Sequence, residues 1–341
     1  MEKPSFDTSA LKAWFAETSR DLPWRGGNDP YAVWISEIML QQTQVAVVKD
    51  YFLRWMQRFP TIQALAEASL EDVIKMWEGL GYYSRARNLH AAAQYLMQHH
   101  GGKLPSSKEE LAKVKGLGPY TIGAILSFAF KQKAAAVDGN VIRVLSRYFA
   151  VERDVKQLDT VKEIWRLAED ILPDEAPWIV SEALIELGAI VCKRDPQCFL
   201  CPLQKGCLAL KKNIQLDLPI KSAKTAVTQL KREVFIIWQN QHLLLKKGSK
   251  GKIMADLYEF PYCESPCAEF PFPFAAVKLG SLPTVTHTFT RYKATLLPTV
   301  WNAVEQISVP EYDWISWERV RHLPFSSGHR RILQHLLSEA S

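Results

Sequence analysis

The 341-residue sequence has no long apolar run. Its longest stretch without a charged residue, Gly116 to Phe130, contains Pro119 and three glycines, well short of the roughly 18 apolar residues of a membrane span. Internal repeats and low-complexity tracts are absent as well. With 48% hydrophobic, 11% aromatic and 23% charged residues, disordered, collagen-like and coiled-coil architectures are excluded for the chain as a whole. A strong charge of one sign is also missing: 42 Lys+Arg against 36 Asp+Glu leave +6, which permits a polyanionic partner without requiring one. The opening MEKPSFDTSALKAWF has acids where a signal peptide has its apolar core, so a cytoplasmic protein with no membrane association is expected. Cysteine is scarce, and in a reducing compartment the six cysteines are expected to be thiols rather than disulfides.

The length suffices for two or three cores, and the texture changes along it. Residues 1 to about 210 read as helical, with apolar residues at Trp34, Ile35, Ile38, Val45 and Phe52 following the 3.6-residue period. Ser69-Leu-Glu-Asp72, Ser107-Lys-Glu-Glu110 and Thr160-Val-Lys-Glu163 fit the capping box, and prolines 30, 60, 105, 173 and 177 separate the segments. About ten helices are expected. Residues 211–228 are polar and basic, as in an exposed linker. Residues 229–341 read as an α+β domain: Val234–Trp238 and Leu243–Leu245 form a hairpin, Val285–Val300 is strand-rich, and a final helix spans Gly328–Leu337. Charge is segregated too. Residues 205–252 hold eleven Lys/Arg against two acids, whereas residues 152–195 hold six against eleven.

Three constellations carry chemistry. Cys192, Cys198, Cys201 and Cys207 place four thiols within sixteen residues. One CxxC flanked by two five-residue loops suits an iron–sulfur cluster, with zinc as the alternative, because structural zinc more often uses two CxxC knuckles. Val114-Lys-Gly116-Leu-Gly118-Pro-Tyr120 reads as a hairpin between helices whose free N–H groups can hold a phosphate; an ordinary helix–helix turn fits the same residues. Glu37 lies among large apolar neighbours that raise a carboxyl pKa and suit a general acid, unless it reaches solvent or pairs with Arg25. Asp138 precedes Gly139, Asn140 and a helix, and on its own reads as an N-cap.

Leu22-Pro-Trp-Arg25, Ser36-Glu-Ile-Met-Leu-Gln-Gln-Thr-Gln-Val45, Gly79-Leu-Gly-Tyr-Tyr83, Arg85-Ala-Arg87, Asp138-Gly-Asn140 and the four cysteines together resemble the helix–hairpin–helix DNA glycosylases, and within them the MutY-type adenine DNA glycosylases. The resemblance covers nearly the whole chain. It implies a mainly α catalytic region over residues 1–210, with a six-helix barrel at about 25–130 and a [4Fe–4S] subdomain formed by 1–24 and 131–210. It also implies a MutT-like (Nudix-like) domain at 229–341 that reads the oxidised base. The implied partner is double-stranded DNA with adenine opposite 8-oxoguanine or guanine, bound by a monomer that is nucleoid-associated through DNA. By the same resemblance Glu37 protonates adenine, and Asp138, held by Asn140, stabilises an oxocarbenium-like sugar. Arg25 and Glu182 contact the extruded base. Gln42 and Tyr82 wedge into the stack, with Thr43, Leu80, Gly116 and Gly118 also on the DNA side. Phe289 and Thr290 belong to the lesion-reading loop.

Two departures stand out. The family's loop ends Phe-Ser-His, where this chain has Phe289-Thr290-Arg291, and the family usually has six residues between its first two cysteines, where this chain has five between Cys192 and Cys198. In the endonuclease III branch a lysine two residues past the second hairpin glycine forms a Schiff base. Tyr120 occupies that place, so base excision without strand cleavage is expected. The Glu-rich metal-binding helix of nucleotide pyrophosphohydrolases is absent. The competing readings are an endonuclease III-like glycosylase/AP lyase and a non-catalytic mismatch-binding protein.

Overall fold

Among the described residues, several helices begin where a side chain accepts backbone N–H groups that a first turn leaves unpaired. Asp7 caps α1 (Thr8–Thr18), Asp29 caps α2 (Pro30–Leu40), Ser69 caps α5 (Leu70–Met76), Ser107 caps α7 (Lys108–Leu111) and Asp138 caps α9 (Gly139–Tyr148). Between and after them lie α3 (Val45–Arg58), α4 (Ile62–Glu67), α6 (Ser84–His100), α8 (Pro119–Ala124), α10 (Leu158–Asp170), α11 (Pro177–Ile190) and α12 (Leu208–Lys211). Pro30, Pro119 and Pro177 occupy first-turn positions, where a missing N–H costs nothing. The computed structural model describes residues 5–222, 227–249, 251–267 and 270–339, in two units: the first takes in 5–67 and 91–222, the second 68–90 and 227–339. Among the described residues no helix is long and apolar enough to cross a membrane.

In the first unit α2 is almost wholly sequestered, with Tyr31 and every residue from Val33 to Met39 buried, Ser36 and Glu37 included. The Tyr31 hydroxyl donates to the Phe59 carbonyl at 2.8 Å. A second core joins α1, α9, α10 and α11 through Leu11, Val144, Leu145, Ile164, Leu167 and Leu184. Two sequence expectations shift here. Thr160 does not cap a helix, because α10 already begins at Leu158 and turns Thr160 into the interior. Residues 213–222, read as part of an exposed linker, pack on this unit: Leu218 is buried and its carbonyl accepts from Arg147 Nε, while the Ile220 carbonyl accepts from the Val155 N–H. Residues 223–226 of that segment lie outside the described residues.

The second unit is built on a mixed sheet. Strand β1 (Thr228–Gln239) pairs antiparallel with β2 (His242–Lys247) through the expected hairpin, and parallel with β7 (Tyr292–Ala303). The short strands β3 (Tyr258–Glu259), β4 (Tyr262–Glu264) and β8 (Asp313–Ser316) extend it on one side, and β5 (Ala276–Ser281) and β6 (Val285–Phe289) on the other. The alternation of β1 sends Val234 and Ile236 to a core shared with α14 (Ser327–Glu339), which follows the short α13 (Trp317–Val320). Phe235 and Ile237 go to an aromatic cluster with Phe274 and Trp301, the two-residue period of a strand. Cys263 and Cys267, expected as free thiols, are instead joined as a disulfide. The chain turns back after β4 and brings their Cα atoms to 6.2 Å, within the span such a bond bridges.

Candidate active site

Burial of α2 carries Glu37 inward, to 6% exposure. Desolvation penalises its charged form and pushes its pKa up to about 7, against the opposing pull of a hydrogen bond from Tyr120. That bond is short, the Tyr120 hydroxyl donating to Glu37 Oε2 at 2.5 Å. Burial also drives the Tyr120 hydroxyl well above its ordinary pKa, so it stays a donor.

Asp138 does cap α9. Its Oδ1 accepts from the Asn140 and Val141 N–H groups at 2.9 and 2.8 Å, and its Oδ2 accepts from Asn140 Nδ2 at 2.7 Å. Burial raises its pKa while these three donors pull it down. Asn140 is held in turn: its Oδ1 accepts from Arg143 Nη2 at 2.8 Å, and the same nitrogen donates to the Gly188 carbonyl at 2.7 Å. Gly188 lets α11 approach this turn, since a Cβ there would fall 2.6 Å from Asn140 Cβ and 3.0 Å from its backbone. The N-cap and the proposed sugar-stabilising carboxylate are thus one residue.

These groups line a cleft of about 540 Å³ with Arg25, Gln42, Thr43 and Glu182, within the size range of small-ligand sites. Arg25 is aimed from behind: its Nε lies 3.2 Å from Glu182 Oε2 and its Nη2 3.1 Å from Glu186 Oε2. Glu186 is fully buried and also takes a two-pronged contact from Arg20, at 2.6 and 2.9 Å. Sequence reasoning missed Glu186, Arg20 and Arg143. Two acids four residues apart on the otherwise apolar α11 were the available signal for the first.

The remaining expected residues lie elsewhere. Gly116 and Gly118 form the turn before α8; Gly116 has φ of 88° and Gly118 is the N-cap. The helix before this turn is shorter than expected and ends at Leu111. Tyr82, Phe289 and Thr290 sit in the second unit around a separate cleft of about 450 Å³. Leu80, expected on the DNA side, is buried at 6% exposure. Cys192, Cys198, Cys201 and Cys207 are all free and line one small cavity beside α9 and α11. The buried Arg147 clasps their loop, donating to Cys192 Sγ at 3.4 Å and to the Lys193 and Arg194 carbonyls at 2.5 and 3.1 Å.

Residues 35–171 match the model of the HhH-GPD superfamily of base excision DNA repair proteins, and residues 233–335 match the NUDIX domain. Among solved structures, a thermostable thymine-DNA glycosylase superposes with a TM-score of 0.56 at 29% identity, covering 60% of this chain and 94% of that one. A non-covalent endonuclease III–DNA complex gives 0.52 at 27%, covering 61% and 96%. Fold and site therefore define a helix–hairpin–helix base-excision-repair protein with a C-terminal Nudix-like domain. The adenine DNA glycosylase of Buchnera aphidicola (subsp. Baizongia pistaciae) is 38% identical over 251 residues, 73% of this chain and 71% of its own length. That of mouse is 44% identical over 214 residues, 60% of this chain and 42% of its own, so the match spans about two-fifths of the mouse relative. The chain belongs to the adenine DNA glycosylase family.

Proposed function

We propose that the chain is a monofunctional adenine DNA glycosylase that hydrolyses the N-glycosidic bond of adenine opposite 8-oxoguanine or guanine in duplex DNA, acting as a monomer. One observation carries this: a carboxyl held near neutrality and a carboxylate held by three donors share one cleft. An enzyme reaches a base only by taking it out of the stack, and cleavage of a glycosidic bond uses two carboxyl groups in different states. Glu37, protonated in a large fraction at neutral pH, gives its proton to the departing adenine. Asp138 faces the positive charge that develops on the sugar, and Asn140 fixes its orientation. Arg25 and Glu182 supply a donor and an acceptor for the edge of the extruded base. Tyr120 carries no amine, so no Schiff base forms with the sugar.

Residues 1–210, with 213–222 packed on them, would hold this chemistry, and 229–341 would form the lesion-reading domain, where Phe289 and Thr290 share a cleft with Tyr82. Cys192, Cys198, Cys201 and Cys207 would hold a [4Fe–4S] cluster. The donors fit: the four cysteines are free and line one small cavity, and four thiolates are the usual ligand set of such a cluster. Such a cluster would brace the loop carrying Lys193 and Arg194 toward phosphate. Single-turnover release of adenine from a duplex with adenine opposite 8-oxoguanine tests the function. The wild type should release free adenine and leave an intact abasic strand, and Glu37→Gln should release almost none. Equal release by the variant, or strand cleavage at the rate of excision, would overturn the proposal.

A further inference from the structure

We propose that Glu78 is a positioning residue that sets opposite-base specificity by locking the Tyr82 turn onto the lesion-reading fold. This rests on the function proposed above. The turn from Gly79 to Tyr83 is rigid within itself: Tyr82 adopts a left-handed φ of 49°, Trp77 Nε1 donates to the Gly81 carbonyl at 3.1 Å, and Arg85 Nη2 donates to the Leu80 and Gly81 carbonyls at 2.9 and 3.0 Å. A rigid turn still has to be aimed, and Glu78 precedes it directly.

The Glu78 carboxylate accepts from Arg330 Nε and Nη2 at 2.6 and 2.8 Å, from the Phe325 N–H at 2.9 Å and from Lys75 Nζ at 2.8 Å. Both members of the Glu78–Arg330 pair are more than four-fifths shielded from solvent, a setting where a two-pronged contact has strength and direction. On the far side of the turn Arg87 donates to the Ala255 carbonyl at 2.8 Å, so both flanks are tied to the same fold. Arg330 lies on the first turns of α14. There Gly328 lets the helix touch β6, since a Cβ would fall 2.6 Å from the His287 ring. Strand β6 runs on into Phe289 and Thr290. Tyr82 and Thr288–Thr290 meet across the 450 Å³ cleft, and their spacing is set through Glu78, Arg330, α14 and His287. A base held between an aromatic ring and a hydroxyl-bearing turn is discriminated by that spacing.

The test is a double-mutant cycle of Glu78→Gln, Arg330→Met and the pair, measuring excision rate for adenine opposite 8-oxoguanine and opposite guanine, with unfolding temperature for each protein. Each single variant should lower the ratio of the two rates about tenfold, and the double variant should lower it no further, as for residues coupled by roughly 1.4 kcal/mol. Excision opposite guanine should change less than about threefold. An unchanged ratio, or both rates falling in parallel with the unfolding temperature, would overturn the role of Glu78. A wild type with no preference between the two bases would instead overturn the lesion-reading function, and this inference with it.

Discussion

Tyr120 reaches across from α8 to donate its hydroxyl to Glu37 Oε2 at 2.5 Å. The place that the resemblance gives to a Schiff-base lysine in the endonuclease III branch is here a neutral donor bonded to a buried carboxyl. A hydrogen bond to the charged form of a carboxyl lowers its pKa, so Tyr120 moderates what burial does to Glu37.

Excision by the wild type should therefore decline as pH rises through about 7, the value to which Glu37 is pushed, falling about tenfold per pH unit once the acid is mostly ionised. Tyr120→Phe removes the lowering contribution, so the alkaline limb should move to higher pH. Single-turnover rates between pH 6 and 9 give both midpoints. A shift to lower pH would contradict the direction assigned to the bond.

Asn140→Ala should slow excision by roughly 10- to 100-fold, the range for losing a hydrogen bond to a charged group. Binding to DNA carrying an uncleavable adenine analogue should change little, because the 2.7 Å contact is to Asp138. A loss confined to binding affinity would place Asn140 at the DNA surface instead.

Arg147→Met should reduce the iron retained per purified chain, since it removes the donor to Cys192 Sγ and leaves the Lys193, Arg194 and Leu218 carbonyls without that partner. Stability should fall by about 3 kcal/mol, as when buried polar groups lose their partner. Iron analysis and thermal unfolding check the two effects separately.

The second unit should lose stability in acid. Burial lowers the pKa of His287 to about 4 and of His329 to about 3, from an ordinary 6.5. The unfolded chain therefore binds these protons first, and stability present above pH 6.5 is lost as pH falls from there. By pH 5.5 each histidine should cost on the order of 1 kcal/mol. Unfolding at pH 7.5 and 5.5 measures the sum, and His287→Gln should remove about half of it.

Much of this was legible in the sequence because it is local. Glu37 sits in a run of apolar side chains and Asp138 in a capping pattern, and both environments arise from immediate neighbours. The hairpin of β1 and β2 announced itself by alternation. What remained hidden depends on partners distant along the chain: Arg143 bracing Asn140 against Gly188, Glu186 aiming Arg25, and Arg330 meeting Glu78 across about 250 residues. Thr160 misled because a capping pattern says nothing about which side of a helix faces the core. Cys263 and Cys267 look like free thiols from composition because the turn that brings their Cα atoms to 6.2 Å leaves no composition signal.

The interleaving of residues 68–90 with 227–339 changes what a truncation can mean. A chain ended before Thr228 would keep Glu78, Lys75 and Arg87 but lose Arg330, the Phe325 and Ala255 backbone groups and the Leu323 carbonyl to which they bond. Its defect would add a misaimed Tyr82 to the missing domain. Subtracting the shortened chain's activity from that of the whole would therefore overstate what the C-terminal fold contributes by touching DNA itself.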